Sequence, residues 1–365
     1  MKKGRASVPR KIRLAIAAVA LAAFVLAFTG AAPACAVLAK AQFAPNLLLA
    51  LAGGAGAIAA VAGILLSALL FGRIYCAVAC PFGLLQDVAG LFTRTVSRPP
   101  ANLPGLRHAI AGVVYAALFA GMALPFRLLD PYANAGRLFA AFGAGGAVAL
   151  AVLLAFPLFR RRLFCTAVCP VGTVLGLAAK GAAFRLSLDA GCVRCGKCAK
   201  VCPAGAIDPV RGTIDNERCV RCFDCVAACP ADAIRFGFAW KKRRAAESAA
   251  GSGAEGVADP GRRAFLASAG WLAAGAAAGV VLAKSPARER SGEVALATFD
   301  PERCIVFQDG APCGRCAAAC PSGAIELRKS GAPRAPRAAL CLGCGACAAA
   351  CPAKPPAMQV RIVSR

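Results

Sequence analysis

The sequence predicts an α-helical membrane domain that is followed by two small, cysteine-rich α+β domains. Three observations lead to this fold class. The chain of 365 residues is 59% hydrophobic, with a mean hydropathy of +0.64, which is more apolar than an ordinary soluble domain. It contains five long uncharged apolar runs, and most of its 21 cysteines fall in short repeated motifs.

The five apolar runs are each long enough to cross a bilayer, which takes about 17–25 residues. They cover residues 14–32, 47–71, 109–126, 138–159 and 264–283. Basic residues are concentrated before the first run, between the second and third, and after the fourth, and the positive-inside rule places these segments in the cytoplasm. The first four runs therefore predict a four-helix bundle with both ends inside, and the last run predicts a fifth helix. A cleaved signal peptide is the alternative for the first run.

The charge and the single histidine exclude several classes of function. The formal net charge is +26, but many basic residues flank the apolar runs, and no interleaving of aromatic and basic residues indicates a nucleic-acid surface. His108 alone supplies neither two axial haem ligands nor, with a serine and an aspartate, a credible catalytic triad. We therefore expect no nucleic-acid partner and no self-contained hydrolase.

The membrane region contains an internal repeat, in which each helix pair is followed by Arg-x-aromatic-Cys-x3-Cys-Pro-x-Gly. The first copy begins at Arg73 and contains Cys76 and Cys80, and the second begins at Arg162 and contains Cys165 and Cys169. A repeat of helix pairs in the same orientation predicts a pseudo-two-fold axis along the membrane normal, which would bring the four thiols together. Three hypotheses remain for them: a shared site for a further cluster or metal, two redox-active thiol pairs, or loop structure.

The first cysteine-rich domain carries two copies of the motif Cys-x2-Cys-x2-Cys-x3-Cys-Pro, at residues 192–203 and 219–230. This spacing is typical of two cubane [4Fe-4S] clusters, where each motif gives three thiolates to one cluster and its fourth to the other. Structural zinc is the alternative and rarely shows this pattern. The crossing rule predicts cluster 1 on Cys192, Cys195, Cys198 and Cys229, and cluster 2 on Cys219, Cys222, Cys225 and Cys202.

The second cysteine-rich domain repeats this arrangement with one departure. Eight residues separate Cys304 from the next cysteine, Cys313, where the regular motif has two. Cys304 nevertheless completes the count of ligands. The same crossing rule predicts cluster 3 on Cys304, Cys313, Cys316 and Cys351, and cluster 4 on Cys341, Cys344, Cys347 and Cys320.

The segment between the two cysteine-rich domains predicts a linker and an export signal. Residues 241–263 are rich in Gly, Ala and Ser, which indicates a flexible linker. The pair Arg262 and Arg263, directly before an apolar stretch, is similar to a twin-arginine signal; the alternative is an ordinary membrane helix. Both interpretations place the following domain outside the cytoplasm. The predicted domains are thus 1–184, 185–240 and 295–365, with the fifth helix at 264–283.

These motifs together resemble a known family. Residues 1–240 resemble the NapH-type membrane subunit of quinol dehydrogenases that feed periplasmic nitrate reductase, through the four helices, the paired Cys-x3-Cys-Pro motifs and the double-cluster domain. Residues 260–365 resemble its NapG/MauM-type exported partner. The resemblance implies a fusion of two subunits in the inner membrane, with ferredoxin-like domains on both sides, which oxidises quinol and delivers electrons to an extracytoplasmic reductase or cytochrome.

Quinol oxidation needs groups that accept protons near the membrane boundary. The candidates for contact with quinone are His108, Asp87, Asp130 and Tyr132. An imidazole titrates near neutral pH, whereas Asp130 has the simpler alternative of capping a turn. The alternative function is a redox factor that matures or maintains a metalloenzyme, which similar Cys-x3-Cys-Pro proteins also suggest.

Overall fold

The computed structural model describes residues 8–28, 36–92, 104–140, 162–189, 191–238, 260–284 and 294–363. Most of the predicted fourth membrane run and almost all of the linker lie outside these residues. The four-helix bundle therefore stays a prediction.

Short and long helices make up the part of the chain before the first cysteine-rich domain. They are α1 (Val8–Phe28), α2 (Ala36–Lys40), α3 (Phe43–Leu51), α4 (Ala55–Phe71), α5 (Ile74–Val78), α6 (Pro81–Phe92), α7 (Pro104–Phe119), α8 (Leu124–Leu129), α9 (Pro131–Ala140), α10 (Leu163–Ala167) and α11 (Pro170–Lys180). Within the described ranges, α1 alone is long and apolar enough to cross a membrane by length and composition, with 21 residues and a mean hydropathy of 2.1.

Two of the predicted membrane runs are shorter as helices than the sequence suggested. The run at 47–71 is broken between Leu51 and Ala55, where Gly53 has a φ of +89° and the N–H of Gly54 donates to Leu49 O at 3.0 Å. This left-handed turn ends α3 because it costs glycine little. The run at 109–126 similarly ends as a helix at Phe119. Neither run is therefore a single continuous helix over its whole predicted length.

The internal repeat extends beyond the cysteine motifs into the short helices α3 and α9. In each, an asparagine amide donates to the carbonyls four and six residues earlier in the chain. Asn46 Nδ2 donates to Gln42 O at 2.7 Å and to Lys40 O at 2.6 Å, and Asn134 Nδ2 donates to Asp130 O and Leu128 O, both at 2.9 Å. The two halves therefore share a local hydrogen-bonded fold outside the cysteine motifs.

Each cysteine-rich domain is closed by an antiparallel pair formed by its first and last strands. The first domain contains β1 (Phe184–Leu188), α12 (Lys197–Val201), β2 (Ile207–Asp208), β3 (Thr213–Ile214), α13 (Asp224–Ala228) and β4 (Ile234–Phe238). The fifth helix follows as α14 (Pro260–Lys284), and the second domain contains β5 (Val294–Phe299), a 3-10 turn (Pro301–Arg303), α15 (Ile305–Gln308), α16 (Arg315–Ala319), α17 (Ala346–Ala349) and β6 (Met358–Val363). In register, Phe184 pairs with Phe238 and Val294 pairs with Val363.

The two cysteine-rich domains lie at opposite ends of α1. Near its amino end, Arg10 Nε donates to Asp224 of the first domain at 2.8 Å. Near its carboxyl end, Phe24 and Phe28 share a core with residues of the second domain. At 1.5 Å per residue, the helix separates the Arg10 contact from those of Phe24 and Phe28 by about 21 to 27 Å. The domains are therefore held apart by roughly the thickness of a bilayer's hydrocarbon layer.

Helix α14 packs along α7 in the same direction, with glycines at the contact. A Cβ on Gly275 would lie against the Ala109 carbonyl, and one on Gly279 would lie 2.6 Å from the Val113 carbonyl. Backbone atoms cannot move aside as side chains do, so this seam requires glycine. Such small-residue contacts are typical of helices that associate within membranes.

Candidate metal centres

Four cavities in the two cysteine-rich domains are each lined by four cysteines. They are lined by Cys192, Cys195, Cys198 and Cys229; by Cys202, Cys219, Cys222 and Cys225; by Cys304, Cys313, Cys316 and Cys351; and by Cys320, Cys341, Cys344 and Cys347. The groups coincide with those that the crossing rule predicts. The widened spacing after Cys304 does not remove it from its group, because Cys304 and Cys313 line the same cavity.

The backbone of three of the four motifs turns sharply around the second cysteine. The residues on both sides of that cysteine have a positive φ, which is uncommon for any residue except glycine. They are Arg194 and Gly196, Arg221 and Phe223, and Gly343 and Gly345. Such turns make backbone N–H groups converge into an anion-binding concavity, a device that iron–sulfur sites use. The loops thus fit an anionic cluster.

The last cysteine of every motif accepts a backbone hydrogen bond at its sulfur. The donors lie four to six residues further along the chain. The N–H groups of Ala206, Ala233, Ala324 and Ala357 donate to Cys202, Cys229, Cys320 and Cys351 at 3.2–3.3 Å. Hydrogen bonds to cluster sulfurs and cluster ligands tune the reduction potential of iron–sulfur sites, so these bonds also fit the predicted clusters.

The paired Cys-x3-Cys-Pro motifs meet in one buried place, which we call the four-thiol site: Cys76, Cys80, Cys165 and Cys169. Each of these cysteines is only 3–4% exposed, and none of them forms a disulfide bond. Burial, and then the neighbouring Cys165 and Cys80, raise the pKa of Cys169. All four cysteines belong to one buried core, which agrees with the predicted pseudo-two-fold axis. The N–H of Gly172 donates to Cys169 Sγ at 3.2 Å.

Each copy of the repeat sends its arginine into the other copy. Arg73 Nη2 donates to the Cys165 carbonyl at 2.5 Å, and Arg162 Nη1 donates to the Cys76 carbonyl. The motif glycines leave room for these exchanges, since a Cβ on Gly172 or Gly83 would lie 2.6 Å from the incoming guanidinium. The arginine and glycine of the repeat thus lock the two copies together.

The two arginines differ in their charge partners. Arg162 is paired with Asp87, with Nη2 and Oδ2 at 2.7 Å, and Asp87 also pairs with Arg13. Although burial alone raises the pKa of Asp87, Arg162 and Arg13 together lower it to about 2. Across the described part of the chain, no carboxylate lies within 4 Å of the Arg73 guanidinium, and Arg73 is only 1% exposed. The guanidinium donates to the Glu217 carbonyl and to Cys76 Sγ.

Glu217 anchors the first cysteine-rich domain on helices α7 and α11. Its carboxylate pairs with Arg107 of α7, with His108 Nε2 at 2.7 Å and with Lys180 of α11 at 2.8 Å. Burial alone raises the pKa of Glu217, but these three partners lower it to about 2. The domain is therefore fixed to the helices by a buried, charged hub rather than by its linker alone.

The four quinone-contact candidates do not form one site. His108 belongs to the Glu217 hub, and Asp87 belongs to the pair with Arg162. Asp130 and Tyr132 lie in a third place, at the start of α9, where Asp130 Oδ2 accepts from the Ala133 N–H at 2.7 Å. Asp130 thus caps a helix, as its simpler interpretation held. Both side chains are buried, however, rather than in an open outer loop.

Sequence reasoning missed several residues around the four-thiol site. Gln86 is fully buried and its Oε1 faces Cys165 Sγ at 3.1 Å. Glu217 was hidden among the ferredoxin motifs, and Gln42 receives a hydrogen bond from Tyr75 at 2.7 Å. No spacing signals these contacts, because they join segments far apart in sequence. The arginines, by contrast, were visible as fixed members of the repeat.

Several polar atoms in this region have no partner in the part of the chain that the structure describes. They are Arg73 Nε, Gln86 Nε2, Arg107 Nε, Tyr115 OH, Arg127 Nε, Asp130 Oδ1, Tyr132 OH and Arg137 Nε. Over the same residues, no three His, Cys, Asp or Glu side chains converge closely enough to hold a single metal ion.

Comparison with protein-family models finds iron–sulfur domains at all of these places. A model described as a 4Fe-4S binding domain matches residues 53–99 and 142–188, which contain the two Cys-x3-Cys-Pro motifs. A 4Fe-4S dicluster domain matches residues 191–233 and 311–354, and another 4Fe-4S binding domain matches residues 296–325. The chain is an iron–sulfur protein with several 4Fe-4S binding domains.

Among curated proteins, the chain is similar to ferredoxin-type and regulatory proteins of bacteria. The ferredoxin-type protein NapH of Haemophilus influenzae is 28% identical over 42% of this chain and 55% of its own length. The methylamine utilization ferredoxin-type protein MauN of Paracoccus denitrificans is 31% identical, over 44% of this chain and 60% of its own. The regulatory protein NosR of Pseudomonas aeruginosa is 34% identical, over 39% and 22%.

These matches make the chain an iron–sulfur electron-transfer protein related to NapH, MauN and NosR. It spans between a fifth and three fifths of the length of these relatives. No solved structure matches the chain. The relatives and the apolar helix α1 indicate a membrane protein.

Proposed function

We propose that the protein is a multi-pass inner-membrane electron conduit with a ferredoxin domain of two [4Fe-4S] clusters on each side. The observation that most supports this proposal is that the two cysteine-rich domains, each with two four-cysteine cavities, contact opposite ends of α1. The first domain is cytoplasmic and the second extracytoplasmic. The sixteen motif cysteines are the ligands, grouped as the four cavities group them.

Quinol is the electron donor in this proposal, and an extracytoplasmic reductase or cytochrome is the acceptor. Oxidation of one quinol releases two electrons, which enter the clusters, and two protons. The second ferredoxin domain hands the electrons on. Of the four candidates, Asp130 and Tyr132 fit quinone contact best, because both are buried beside one another and each has a side-chain oxygen without a partner among the described residues. Asp87 is engaged in ion pairs with arginines, and His108 is hydrogen-bonded to Glu217.

The proposal keeps α14 in the membrane as a fifth helix rather than as a cleaved export signal. Its glycine seam with α7 supports this, since a helix discarded after export has no need of a backbone-close fit along a membrane neighbour. Intact-mass spectrometry of the purified protein tests the point. We expect one uncut chain that includes residues 260–284, whereas a mature fragment that begins after residue 284 contradicts it.

Quinol-dependent reduction of the purified protein tests the function. Menaquinol or ubiquinol added to oxidised protein is expected to produce the electron paramagnetic resonance signals of reduced [4Fe-4S] clusters. Clusters that dithionite reduces but neither quinol does would remove the quinol dehydrogenase role. The variants Asp130→Asn and Tyr132→Phe are expected to slow reduction by quinol while leaving reduction by dithionite unchanged.

Limited proteolysis tests the sidedness of the two domains. Lys329 in the second domain and Arg211 in the first are both exposed in loops. Trypsin added to spheroplasts is expected to cut at Lys329 and to spare Arg211 until the membrane is broken. Protection of Lys329 in intact spheroplasts would contradict the proposed topology.

The alternative function, a redox maturation factor, needs thiols that a partner can reach. The four-thiol site is 3–4% exposed, which supports electron transfer within the protein over thiol exchange with another protein. Thiolates react by direct attack and depend on access. Among the described residues, no contact at the four-thiol site favours the maturation-factor function.

A further inference from the structure

The four-thiol site lies on the way between the two ferredoxin domains. Its cysteines share one continuous core with Cys198, Cys219, Cys222 and Cys225 of the first domain. On the other side, Tyr132 belongs to the core that contains Cys341 and Cys344 of the second domain. Ala135 of α9 packs in the first core while Ala133 packs in the second. Helix α9 therefore bridges the four-thiol site and the second ferredoxin domain.

The charge balance around the four-thiol site is asymmetric. Asp87 neutralises Arg162, but the position that corresponds to Asp87 in the second copy, 89 residues later, is Gly176. A Cβ there would lie 2.7 Å from the Glu217 carbonyl, so the first ferredoxin domain fills the space with backbone. Arg73 consequently donates to a backbone carbonyl, whereas Arg162 donates to a carboxylate. A fixed positive charge is left buried beside the thiols.

A buried guanidinium without a counter-charge is strongly unfavourable. Protonated thiols or two disulfides are neutral and would leave Arg73 uncompensated. A set of thiolates around a metal cluster carries net negative charge and would compensate it. The arginine is thus evidence that the four-thiol site is anionic, which disfavours neutral thiols and disulfides. A cluster and a reactive thiolate both meet this requirement, and the iron analysis below separates them.

The same arrangement occurs at a ferredoxin cavity in this chain. Arg221 is fully buried, its Nη1 lies 3.7 Å from Cys219 Sγ, and it has no carboxylate within 4 Å among the described residues. Its other partners are neutral: the carbonyls of Phe71 and Phe184 and the side chain of Asn216. An uncompensated arginine beside cysteines of a 4Fe-4S dicluster domain is therefore a pattern that Arg73 repeats at the four-thiol site.

We propose that the four-thiol site holds one iron–sulfur cluster shared by both copies of the repeat, that Arg73 balances its charge, and that it relays electrons between the two ferredoxin domains. Each transfer oxidises a reduced cluster of one domain by one electron and then reduces a cluster of the other, without breaking a bond. This goes beyond the match of each copy to a 4Fe-4S binding domain, because neither copy alone has four thiols. The relay rests on the proposed function.

Iron analysis of the full-length protein tests the shared cluster. Wild-type protein is expected to contain more iron and acid-labile sulfide than the four ferredoxin clusters require. Cys76→Ser and Cys165→Ser, one in each copy, should lose the same increment, while the signals of the four ferredoxin clusters persist and report that the chain has folded. Cys169→Ser serves as a further variant. Equal iron in wild type and all three variants overturns the proposal.

Redox titration tests the role of Arg73. Loss of a nearby positive charge disfavours the reduced, more negative cluster, so Arg73→Gln should lower the midpoint potential of the additional signal, and Arg73→Lys should restore it. Arg221→Gln is the matched control, which should shift a ferredoxin signal instead. An additional signal that does not move in Arg73→Gln, or that Lys does not restore, removes Arg73 from the proposal.

The relay has its own readout, which separates it from the quinol proposal. With quinol as reductant, Cys76→Ser is expected to show reduced clusters in one ferredoxin domain only, where wild type shows them in both. If the clusters of both ferredoxin domains are reduced at the wild-type rate in this variant, the relay is wrong. If quinol reduces nothing in wild type, the donor is wrong, while the iron analysis still decides whether the shared cluster exists.

Discussion

The two copies of the Arg-x-aromatic-Cys-x3-Cys-Pro-x-Gly repeat are nearly the same in sequence but sit in different electrostatic surroundings. Each sends an arginine to a cysteine carbonyl of the other copy. In the first copy Asp87 supplies a carboxylate to the incoming arginine, whereas in the second copy Gly176 admits the backbone of Glu217. The comparison teaches that a repeat can keep its geometry while one copy is specialised for docking a second domain.

Among the variants that distinguish the two copies, removal of the Asp87 carboxylate should cause the largest loss of stability. Asp87→Asn leaves Arg13 and Arg162 buried without a negative partner. Breaking a buried ion pair from one side costs about 3–5 kcal/mol. We expect a loss of that order in the free energy of unfolding, measured by denaturation in mixed detergent micelles and followed by helical circular dichroism.

The control for Asp87 is an acidic residue in an exposed pair. Asp208 lies 3.8 Å from Arg211, and both side chains are well exposed. Such pairs contribute about 0–1 kcal/mol, so Asp208→Asn should be nearly neutral. If Asp87→Asn proves as mild as this control, the arginines of the two copies are not distinguished by charge.

The pH dependence of stability should also report the ionisation of the Asp87 carboxylate. Asp87 has an ordinary value of 3.8, and its arginine partners hold the folded-state pKa at about 2. A lowered pKa stabilises the fold above pH about 4, and the contribution is lost as pH falls from there through about 2. This shift is worth about 2 kcal/mol. Unfolding measured between pH 5 and pH 2 in wild type and in Asp87→Asn checks it.

The variant should unfold with a shallower dependence on pH over that interval, because it has no carboxylate to protonate. The Glu217 hub, whose folded-state pKa is also about 2, remains in the variant and gives the residual slope. Parallel pH profiles in the two proteins would mean that Asp87 does not titrate as its surroundings require.

A methyl group at Gly176 should disturb the second copy alone. In Gly176→Ala the new Cβ would crowd the Glu217 carbonyl and push the first ferredoxin domain from Arg73. Overpacking of this kind costs about 1–3 kcal/mol. We expect lower stability and easier proteolytic release of residues 184–238. Gly56→Ala in α4 is the control, since nothing lies within 4 Å of its Cβ position; destabilisation of both variants alike would point to a general helix effect.

The smallest effect concerns the aromatic position of the repeat, Tyr75 in the first copy and Phe164 in the second. Tyr75 donates to Gln42 Oε1 at 2.7 Å and accepts from the Phe43 N–H at 3.2 Å. Tyr75→Phe makes the copies alike but leaves these groups unpaired, at a cost of about 1–2 kcal/mol. A double-mutant cycle with Gln42→Leu should recover part of the loss, and a coupling energy near zero would show that the hydrogen bond is unimportant.

Sequence alone determined the chemical class of this protein, because cluster-binding motifs are local. Within each regular motif, three cysteines reach a common centre through one tight loop whose spacing and left-handed turns are set by neighbouring residues such as Gly343 and Gly345. The crossing of the fourth cysteine follows from the motif being duplicated. The four cavities group the cysteines in this way, and even Cys304 joins its set despite the widened gap. Apolar length likewise indicated α1.

Only the tertiary structure decided how these parts are coupled. Gly53 interrupts the second apolar run, and Asp130 lies buried beside Tyr132 although its segment reads as an outer loop. Long-range contacts also set the partners of Arg73 and Arg162, since guanidinium groups cross between copies 89 residues apart. Charge compensation depends on three-dimensional distance and burial, which a spacing rule does not contain. The cysteines could thus be grouped from the chain, whereas the uncompensated arginine could be found only in the fold.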